Sequence, residues 1–416
     1  MSTHQHPEKD HPQALKRSLS LPLLALYGLG NILGAGVYVL IGKVAGAAGY
    51  AAPEAFLLAA VIATITALSY AEMASRFPQT ASESVYLQEG LQHRYLALAA
   101  GLLIIATGTV SAAAMARGFS GYLQVFVSLP DGFVIGALIA TLAALALWGI
   151  QQSVITAALL TVLEVTGLLI VIWVAFPEWG EYLQHRQNNI SSWQLGSIFS
   201  GAFLAFYAFV GFEDMVNVVE EVKKPRRTMP VAILLALGLA SGIYILVAVS
   251  ALAVLTPDQL QESPAPLATV YTTVTGASPR LIAFISLFAV VNGTLIQIIM
   301  ASRVCFGLAR KGWIPGWLAW LHPRTQTPVL ATLLVTILIL IAALSLPITT
   351  LARFTTGMLL VIFGLVNLAL VRIKLRGEGP APAFHVPMLF PILGVLLCFI
   401  FLGTEVIGLS YNWATR

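Results

Sequence analysis

Three acidic residues lie inside long apolar stretches of this sequence. Glu164 stands in the middle of the apolar run 153–176, and Glu213 and Asp214 directly follow the aromatic segment 206–212. Charged residues within such runs are costly and usually mark an ion or substrate pathway. A carboxyl group held away from water can exchange a proton near neutral pH, so Glu164 is a candidate for proton transfer. The alternative for Glu164 is a packing role, and for the other two it is capping of a helix end.

Glycines in the first apolar run, roughly residues 20–44, indicate a break in a helix. Four of them stand between residues 28 and 36, and each weakens a helix by about 1 kcal/mol relative to Ala. We therefore predict local unwinding at Gly34-Ala35-Gly36, and a second break near Gly211. Broken spans present backbone groups and half-helix ends to a substrate. The alternative is a close helix–helix contact, which small residues also permit.

The elements that would position these residues are membrane-spanning helices. Of the 416 residues, 58% are hydrophobic and only 10% are charged, whereas soluble domains carry about 25% charged residues. Apolar runs long enough to span predict an all-α polytopic membrane protein with about eleven helices. These runs are 20–45, 50–74, 95–127, 132–150, 153–176, 195–221, 229–256, 280–310, 329–346, 350–373 and 386–409.

The basic residues predict the orientation. Loops on the side of the N-terminus are rich in Lys and Arg, for example Lys223, Lys224, Arg226 and Arg227. Basic loops are retained in the cytoplasm, so we predict a cytoplasmic N-terminus in the cell membrane. Residues 1–18 are polar and are predicted to form a disordered cytoplasmic tail. The sequence pI near 9.1 then reflects these loops, and no nucleic-acid partner is expected.

A weak internal repeat divides the chain. Residues 107–110 (Thr-Gly-Thr-Val) in the third run correspond to residues 292–295 (Asn-Gly-Thr-Leu) in the eighth, five runs later. This is the relation of two five-helix inverted repeats. The predicted units are a first repeat at 19–176, an extracellular or periplasmic loop at 177–194, a second repeat at 195–375, and an additional helix and tail at 376–416.

Several motifs, in order, resemble the amino acid–polyamine–organocation superfamily. Residues 28–38 (Gly-Leu-Gly-Asn-Ile-Leu-Gly-Ala-Gly-Val-Tyr) and 208–213 (Ala-Phe-Val-Gly-Phe-Glu) match its first and sixth spans. Residues 220–227 resemble its signature E-E-x-x-N-P-x-R, with Lys224 in place of Asn. Residues 292–315 continue the pattern in the eighth span. The chain departs from the superfamily at 78–82, where Pro-Gln-Thr-Ala-Ser replaces the usual P-x-x-G-G.

The resemblance implies the five-plus-five inverted-repeat transporter fold, with helices 1 and 6 broken and an amino acid or amine bound between the breaks. The first break would receive the α-carboxylate, and carbonyls of the sixth span would receive the α-amine. Tyr207 matches the aromatic residue that closes over the substrate from outside. The substrate-binding residues implied in this way are Leu33, Gly34, Ala35, Gly36, Tyr207, Ala208, Phe209, Val210 and Gly211.

The resemblance also implies a coupling site. Sodium-independent relatives often carry a Lys in the fifth span, and alignment places Glu164 there, facing Gly30 in the first span and Thr294 in the eighth. Glu213 matches a position that is acidic in proton-sensing relatives. In one mechanism Glu164 takes up a proton with the substrate. In the other, ionised Glu164 and the carbonyls of Gly30 and Leu33 bind sodium. We prefer the proton, because relatives with an ionisable group here do not require sodium.

We therefore expect a secondary active amino-acid transporter, with no catalytic residues, no cofactor, no metal and no obligate protein partner. The alternatives are an obligate exchanger, an amine permease and a sodium symporter, or, in a different class, a membrane receptor or enzyme. One further pair bears on the fold. Glu72 and Arg76 are four residues apart at the end of the second run, a spacing typical of a solvated ion pair at a helix end.

Overall fold

The computed structural model describes residues 19–34, 36–78, 82–148, 154–188, 195–377 and 379–414. The predicted tail at 1–18, the site residue Ala35 and part of the departing loop, residues 79–81, lie outside these ranges. The helices are α1 (Leu21–Leu33), α2 (Gly36–Ala48), α3 (Ala52–Arg76), α4 (Ser82–Leu91), α5 (Arg94–Leu123), α6 (Asp131–Trp148), α7 (Val154–Ala175), α8 (Trp179–Asn188), α9 (Leu195–Phe206), α10 (Pro225–Val254), α11 (Pro257–Glu262), α12 (Pro266–Thr275), α13 (Arg280–Arg310), α14 (Val329–Ser345), α15 (Ile348–Arg376) and α16 (Leu389–Ala414).

The described residues form an all-α membrane protein without a β-strand. Nine of its helical segments are long and apolar enough to cross a membrane, and α1 and α14 are shorter apolar helices. Many of the large side chains on these helices point outward, including Trp173 at 80% exposed and Leu159 at 67%. Such a surface suits hydrocarbon rather than water. The predicted fold class, an all-α polytopic membrane protein, is confirmed.

Two of the spanning segments are interrupted. The first changes from α1 to α2 between Leu33 and Gly36. In the sixth, α9 ends at Phe206, and the chain continues as a 3₁₀ turn at Tyr207–Phe209 and a 3₁₀ stretch at Glu213–Glu221. Both interruptions fall in the segments where glycines predicted them.

The chain start fixes a common side for several helices. The amide of Leu19 donates to the carbonyl of Glu221 at 3.0 Å, and the amide of Lys223 donates to the carbonyl of Leu19 at 3.0 Å. The beginning of α1 therefore lies beside the beginning of α10. We call this side of the molecule the N-terminal side and the opposite side the far side. The helices α3, α13 and α15 end on the N-terminal side, and α10 ends on the far side.

A buried ion cluster joins three segments on the N-terminal side. The carboxylate of Glu72 is fully buried and lies 2.8 Å from the guanidinium of Arg76 and 2.7 Å from the ammonium of Lys374. It also accepts from the amide of Val386 at 2.8 Å. The expectation of a solvated pair was wrong, because the segment between α15 and α16 folds over the end of α3. Ser75 strengthens this contact by accepting from the amides of Ala383 and Phe384 at 2.8 and 3.1 Å.

Aromatic rings pack around the interruption in the sixth span. The ring of Phe212 contacts Tyr70 of α3 and Phe363 of α15, with ring centroids 5.6 and 5.1 Å apart. The ring of Phe209 contacts Tyr244 of α10 at 5.2 Å. Such pairs add to the stabilisation from burial alone. Rigid packing therefore surrounds a stretch of backbone that lacks regular helical hydrogen bonds.

Candidate functional site

The interruption in the first span packs against α13. The amide of Gly34 donates to the carbonyl of Gly30 at 2.8 Å, which closes the last turn of α1. A Cβ atom placed on Gly34 would lie 3.5 Å from the carbonyl oxygen of Ala289 and 3.8 Å from the Cα of Gly293. Leu33 is fully buried. The predicted residues of this break are therefore enclosed by protein.

The interruption in the sixth span is held by its own acid. Gly211 has a φ of +120°, a conformation that residues with a side chain rarely adopt. Its amide donates to Oε2 of Glu213 at 2.9 Å, so the capping role considered for Glu213 is present in the structure. Asp214 points elsewhere and accepts from the side-chain amide of Gln297 on α13 at 3.2 Å.

The two interruptions contact each other directly. A Cβ atom on Gly36 would lie 2.3 Å from the Cα of Ala208, and one on Gly211 would lie 2.5 Å from the carbonyl oxygen of Asn31. The glycines thus permit backbone-to-backbone contact as well as unwinding. The two interpretations weighed for the glycine segment are both realised, at different residues.

A tyrosine that sequence reasoning missed bridges the two interruptions. The hydroxyl of Tyr244, on α10, lies 2.6 Å from the carbonyl oxygen of Ile32 and 2.8 Å from that of Ala208. Its single proton is donated to one of these carbonyls at a time. The carbonyls at both helix ends therefore share one donor from a third helix. A tyrosine within an apolar run is the available signal, since a buried hydroxyl needs a partner.

Glu164 lies beside the first interruption and is fully buried on α7. Its Oε1 accepts from the side-chain amide of Asn292 at 3.4 Å, and its Oε2 has no hydrogen-bond partner among the described residues. One turn earlier, Thr161 contacts Gly30, where an added Cβ would lie 1.9 Å from the threonine Oγ1. The structure therefore brings Glu164 to the span that sequence analysis expected.

The eighth span supplies a different partner from the one expected. The hydroxyl of Thr294 donates to the carbonyl of Val290 within α13 at 2.7 Å. Asn292, two residues earlier, makes the side-chain contact with Glu164. Tyr38 adds a further contact from α2, because its hydroxyl donates to the backbone carbonyl of Glu164 at 2.7 Å.

A cavity of about 350 Å³ opens on the N-terminal side of the interruptions, within the usual size range for small-molecule sites. Of the predicted site residues, Val210 and Glu213 line it, whereas Leu33, Gly34, Gly36, Tyr207 and Ala208 do not. Its remaining lining is Tyr70, Glu83, Ser84, Ile104, Thr107, Gly108, Asp214, Gln297, Met300, Arg303, Val304, Gly307, Leu308, Lys311, Leu359, Ile362 and Phe363.

The cavity combines apolar walls with unused hydrogen-bonding groups. The hydroxyls of Tyr70 and Thr107 are buried and lack a partner among the described residues. Carboxylates of Glu213 and Asp214 lie near its inner end, and Arg303 is exposed toward the N-terminal side. A small polar molecule with an ammonium group and an apolar portion suits such a lining.

The far side of the interruptions is closed. The hydroxyl of Tyr207 donates to the carbonyl of Ser111 at 3.0 Å, and the ring is 1% exposed. Above it, the ammonium of Lys43 contacts the carbonyl of Gln261. Gly42 of α2 also lies against Leu260, where an added Cβ would meet the carbonyl oxygen at 2.1 Å. The only route that this arrangement leaves to the cavity is from the N-terminal side.

Comparison with known proteins identifies the family. The model of the amino acid permease family matches residues 19–411, which include both interruptions, the cavity and Glu164. The chain belongs to the amino acid permease family. The resemblance to the amino acid–polyamine–organocation superfamily is therefore confirmed.

Similar proteins include transporters from bacteria and plants. The chain is 31% identical to an uncharacterized transporter of Mycobacterium tuberculosis over 397 residues, 94% of this chain and 87% of the relative. It is 28% identical to the branched-chain amino acid permease BcaP of Bacillus subtilis, covering 97% of this chain and 90% of the relative. It is 27% identical to the mitochondrial cationic amino acid transporter 3 of Arabidopsis thaliana, covering 88% and 63%.

These findings settle the class of the protein. It is an integral membrane protein that transports amino acids, and it is not an enzyme, as the sequence predicted. The receptor and enzyme alternatives are thereby removed.

Proposed function

We propose that this permease carries an amino acid across the cell membrane by alternating access, driven by a proton that binds Glu164. The observation that carries the proposal is a fully buried carboxyl group with one unpartnered oxygen, placed beside the first interruption and bound by Asn292. Unpaired acids within a membrane are costly and usually serve ion movement. Proton uptake at Glu164 would remove that cost when substrate is bound.

The geometry favours a proton over sodium. A sodium site would need Oε2 of Glu164 together with the carbonyls of Gly30 and Leu33. The carbonyl of Gly30 already accepts from the amide of Gly34. Hard cations need several oxygen ligands at once, whereas a proton needs only the carboxyl group and a path to it.

The substrate site in this proposal extends from the interruptions into the cavity. Val210 and Glu213 join the two regions, because they belong to the interrupted sixth span and also line the cavity. The closed far side and the open N-terminal side correspond to a state that releases substrate toward the N-terminal side. With the N-terminus in the cytoplasm, as the basic loops predict, this is release into the cell. The two five-helix repeats, 19–176 and 195–375, would provide the two arrangements.

The substrate remains to be chosen among amino acids, and the names of the relatives include both branched-chain and cationic substrates. A thermal-shift screen of the purified chain against all amino acids and common polyamines identifies it, because a ligand that binds the folded state raises the apparent stability. Glu213 and Asp214 would favour an added positive charge, whereas Ile104, Ile362 and Phe363 would favour an apolar side chain.

The coupling test uses proteoliposomes, the radiolabelled substrate from that screen and an imposed gradient of protons or sodium. We expect a proton gradient to drive accumulation by the wild type. Glu164→Gln should retain counterflow and lose accumulation, while the exposed Glu89→Gln control behaves as the wild type. Stimulation of wild-type uptake by sodium alone would overturn the proposal, as would accumulation by Glu164→Gln. Uptake that requires internal substrate would identify an exchanger.

A further inference from the structure

A second cavity lies on the far side, away from the interruptions. Its volume is about 310 Å³, again within the range of ligand sites. It is enclosed by the first turns of α3, the last turns of α10 and the short helix α8. The residues around it are Pro53, Glu54, Leu57, Trp179, Tyr182, Leu183, Arg186, Ile245 and Val249.

One end of this cavity is charged. The guanidinium of Arg186 lies 2.7 Å from Oε1 of Glu54. The other carboxylate oxygen, Oε2, is buried and has no hydrogen-bond partner among the described residues. A buried acceptor without a donor is costly, so this oxygen favours a ligand that brings an N–H or O–H group.

The rest of the cavity is apolar and continuous with the outer surface of the helices. Leu57 and Leu183 are 52% and 53% exposed, and Ile245 and Val249 complete the wall. One turn further from Glu54, Val61 on α3 is also exposed. The cavity therefore passes from an ion pair at the helix ends to side chains that face hydrocarbon.

The helix α8 holds the charged end at the depth of the membrane interface. The indole N–H of Trp179 donates to the hydroxyl of Ser250 at 3.2 Å, and the hydroxyl of Tyr182 donates to the carbonyl of Tyr50 at 3.3 Å. Trp and Tyr are enriched at the level of lipid headgroups. Glu54 lies in the first turn of α3, and Ser250 lies near the end of α10, so both helices end at this level.

We propose that this cavity binds a membrane phospholipid with an ethanolamine headgroup. Its ammonium donates to Oε2 of Glu54, its phosphate lies beside the positive charge of Arg186, and the first carbons of an acyl chain follow Leu57, Ile245 and Val249. Ethanolamine carries N–H donors and a positive charge together. Choline carries the charge without a donor, and a glycerol headgroup carries donors without the charge, so both are poorer partners for a carboxylate. Binding would hold α8 against α3 and α10 on the closed far side.

The test measures lipid retention by the purified full chain with native mass spectrometry. The protein is exchanged into mixed micelles that contain equal amounts of phosphatidylethanolamine, phosphatidylcholine and phosphatidylglycerol with identical acyl chains. We expect retention of phosphatidylethanolamine to exceed that of phosphatidylcholine about tenfold, the ratio typical of one hydrogen bond to a charged group. Glu54→Gln should remove this preference. Arg280→Gln, which removes a charge outside the cavity on the same side, should keep it.

A second variant leaves the ion pair intact. Leu57→Trp places a larger side chain at a half-exposed position, so folding should survive while the apolar part of the cavity is filled. We expect it to lower retention of all three lipids at this site. Equal retention of phosphatidylethanolamine and phosphatidylcholine by the wild type would overturn the proposal, as would an unchanged preference in a folded Glu54→Gln protein. Because transport is not measured, the result is independent of proton coupling.

Discussion

Glu72 and Glu164 are both fully buried carboxyl groups on membrane helices, yet their surroundings differ sharply. Glu72 faces two cations at 2.8 and 2.7 Å and one backbone amide at 2.8 Å. Glu164 has a single side-chain donor, Asn292 at 3.4 Å, and one oxygen without a partner among the described residues. A carboxylate with full compensation is a structural anchor, whereas one with little compensation is suited to gain and lose a charge.

Position in the fold explains the difference. Glu72 lies where α3, α15 and the segment before α16 meet on the N-terminal side, so its partners come from three parts of the chain. Glu164 lies where α7 passes the interrupted first span, and the glycines there offer backbone rather than charged side chains. The anchor therefore fixes the edge of the molecule, while the less compensated group lies at its centre, next to the elements expected to move.

The largest effect is expected from the same substitution at the anchor. Glu72→Gln preserves size but leaves Arg76 and Lys374 without their counter-charge. We expect the free energy of unfolding to fall by about 3–5 kcal/mol, as for a buried ion pair that loses one partner. Unfolding of the purified protein in mixed micelles measures this, with the exposed Glu89→Gln as control. A change equal to that of the control would show that the cluster contributes no stability.

An intermediate effect is expected at Tyr244, which joins the two interruptions. Tyr244→Phe removes the hydroxyl shared by the carbonyls of Ile32 and Ala208. We expect a loss of about 1–3 kcal/mol of unfolding free energy, the cost of a buried acceptor without a donor. Substrate counterflow should fall as well, because both helix ends lose their common support. Tyr95→Phe, at a residue that is 75% exposed, is the control. Unchanged counterflow in folded Tyr244→Phe protein would confine this tyrosine to a packing role.

The smallest stability effect is expected at Glu164. Glu164→Gln keeps an acceptor for Asn292 and removes no ion pair, so the unfolding free energy should change by less than about 1 kcal/mol. The same protein should nevertheless lose proton-driven accumulation. A stability loss as large as that of Glu72→Gln would mean that Glu164 is an anchor as well, and the contrast between the two acids would disappear.

The sequence by itself determined the class of this protein and the places where its helices break. Run length and low charge dictate membrane helices, because the cost of burying charge and unsatisfied backbone in hydrocarbon acts on each segment separately. Glycine content at 28–36 likewise weakens one helix locally. The position of Glu164 within an apolar run marked it for the same reason, without knowledge of its neighbours.

Tertiary structure alone decided which residues meet. The partner of Glu164 is Asn292 rather than Thr294, and Gly36 contacts Ala208 instead of lining the cavity. Glu72 and Arg76 have the spacing of a solvated pair, yet the chain returns after α15 to bury them. Tyr244 bridges positions 36 and 212 residues away. Such contacts depend on how whole helices pack against each other, and the local pattern of apolar and polar residues carries no record of that register.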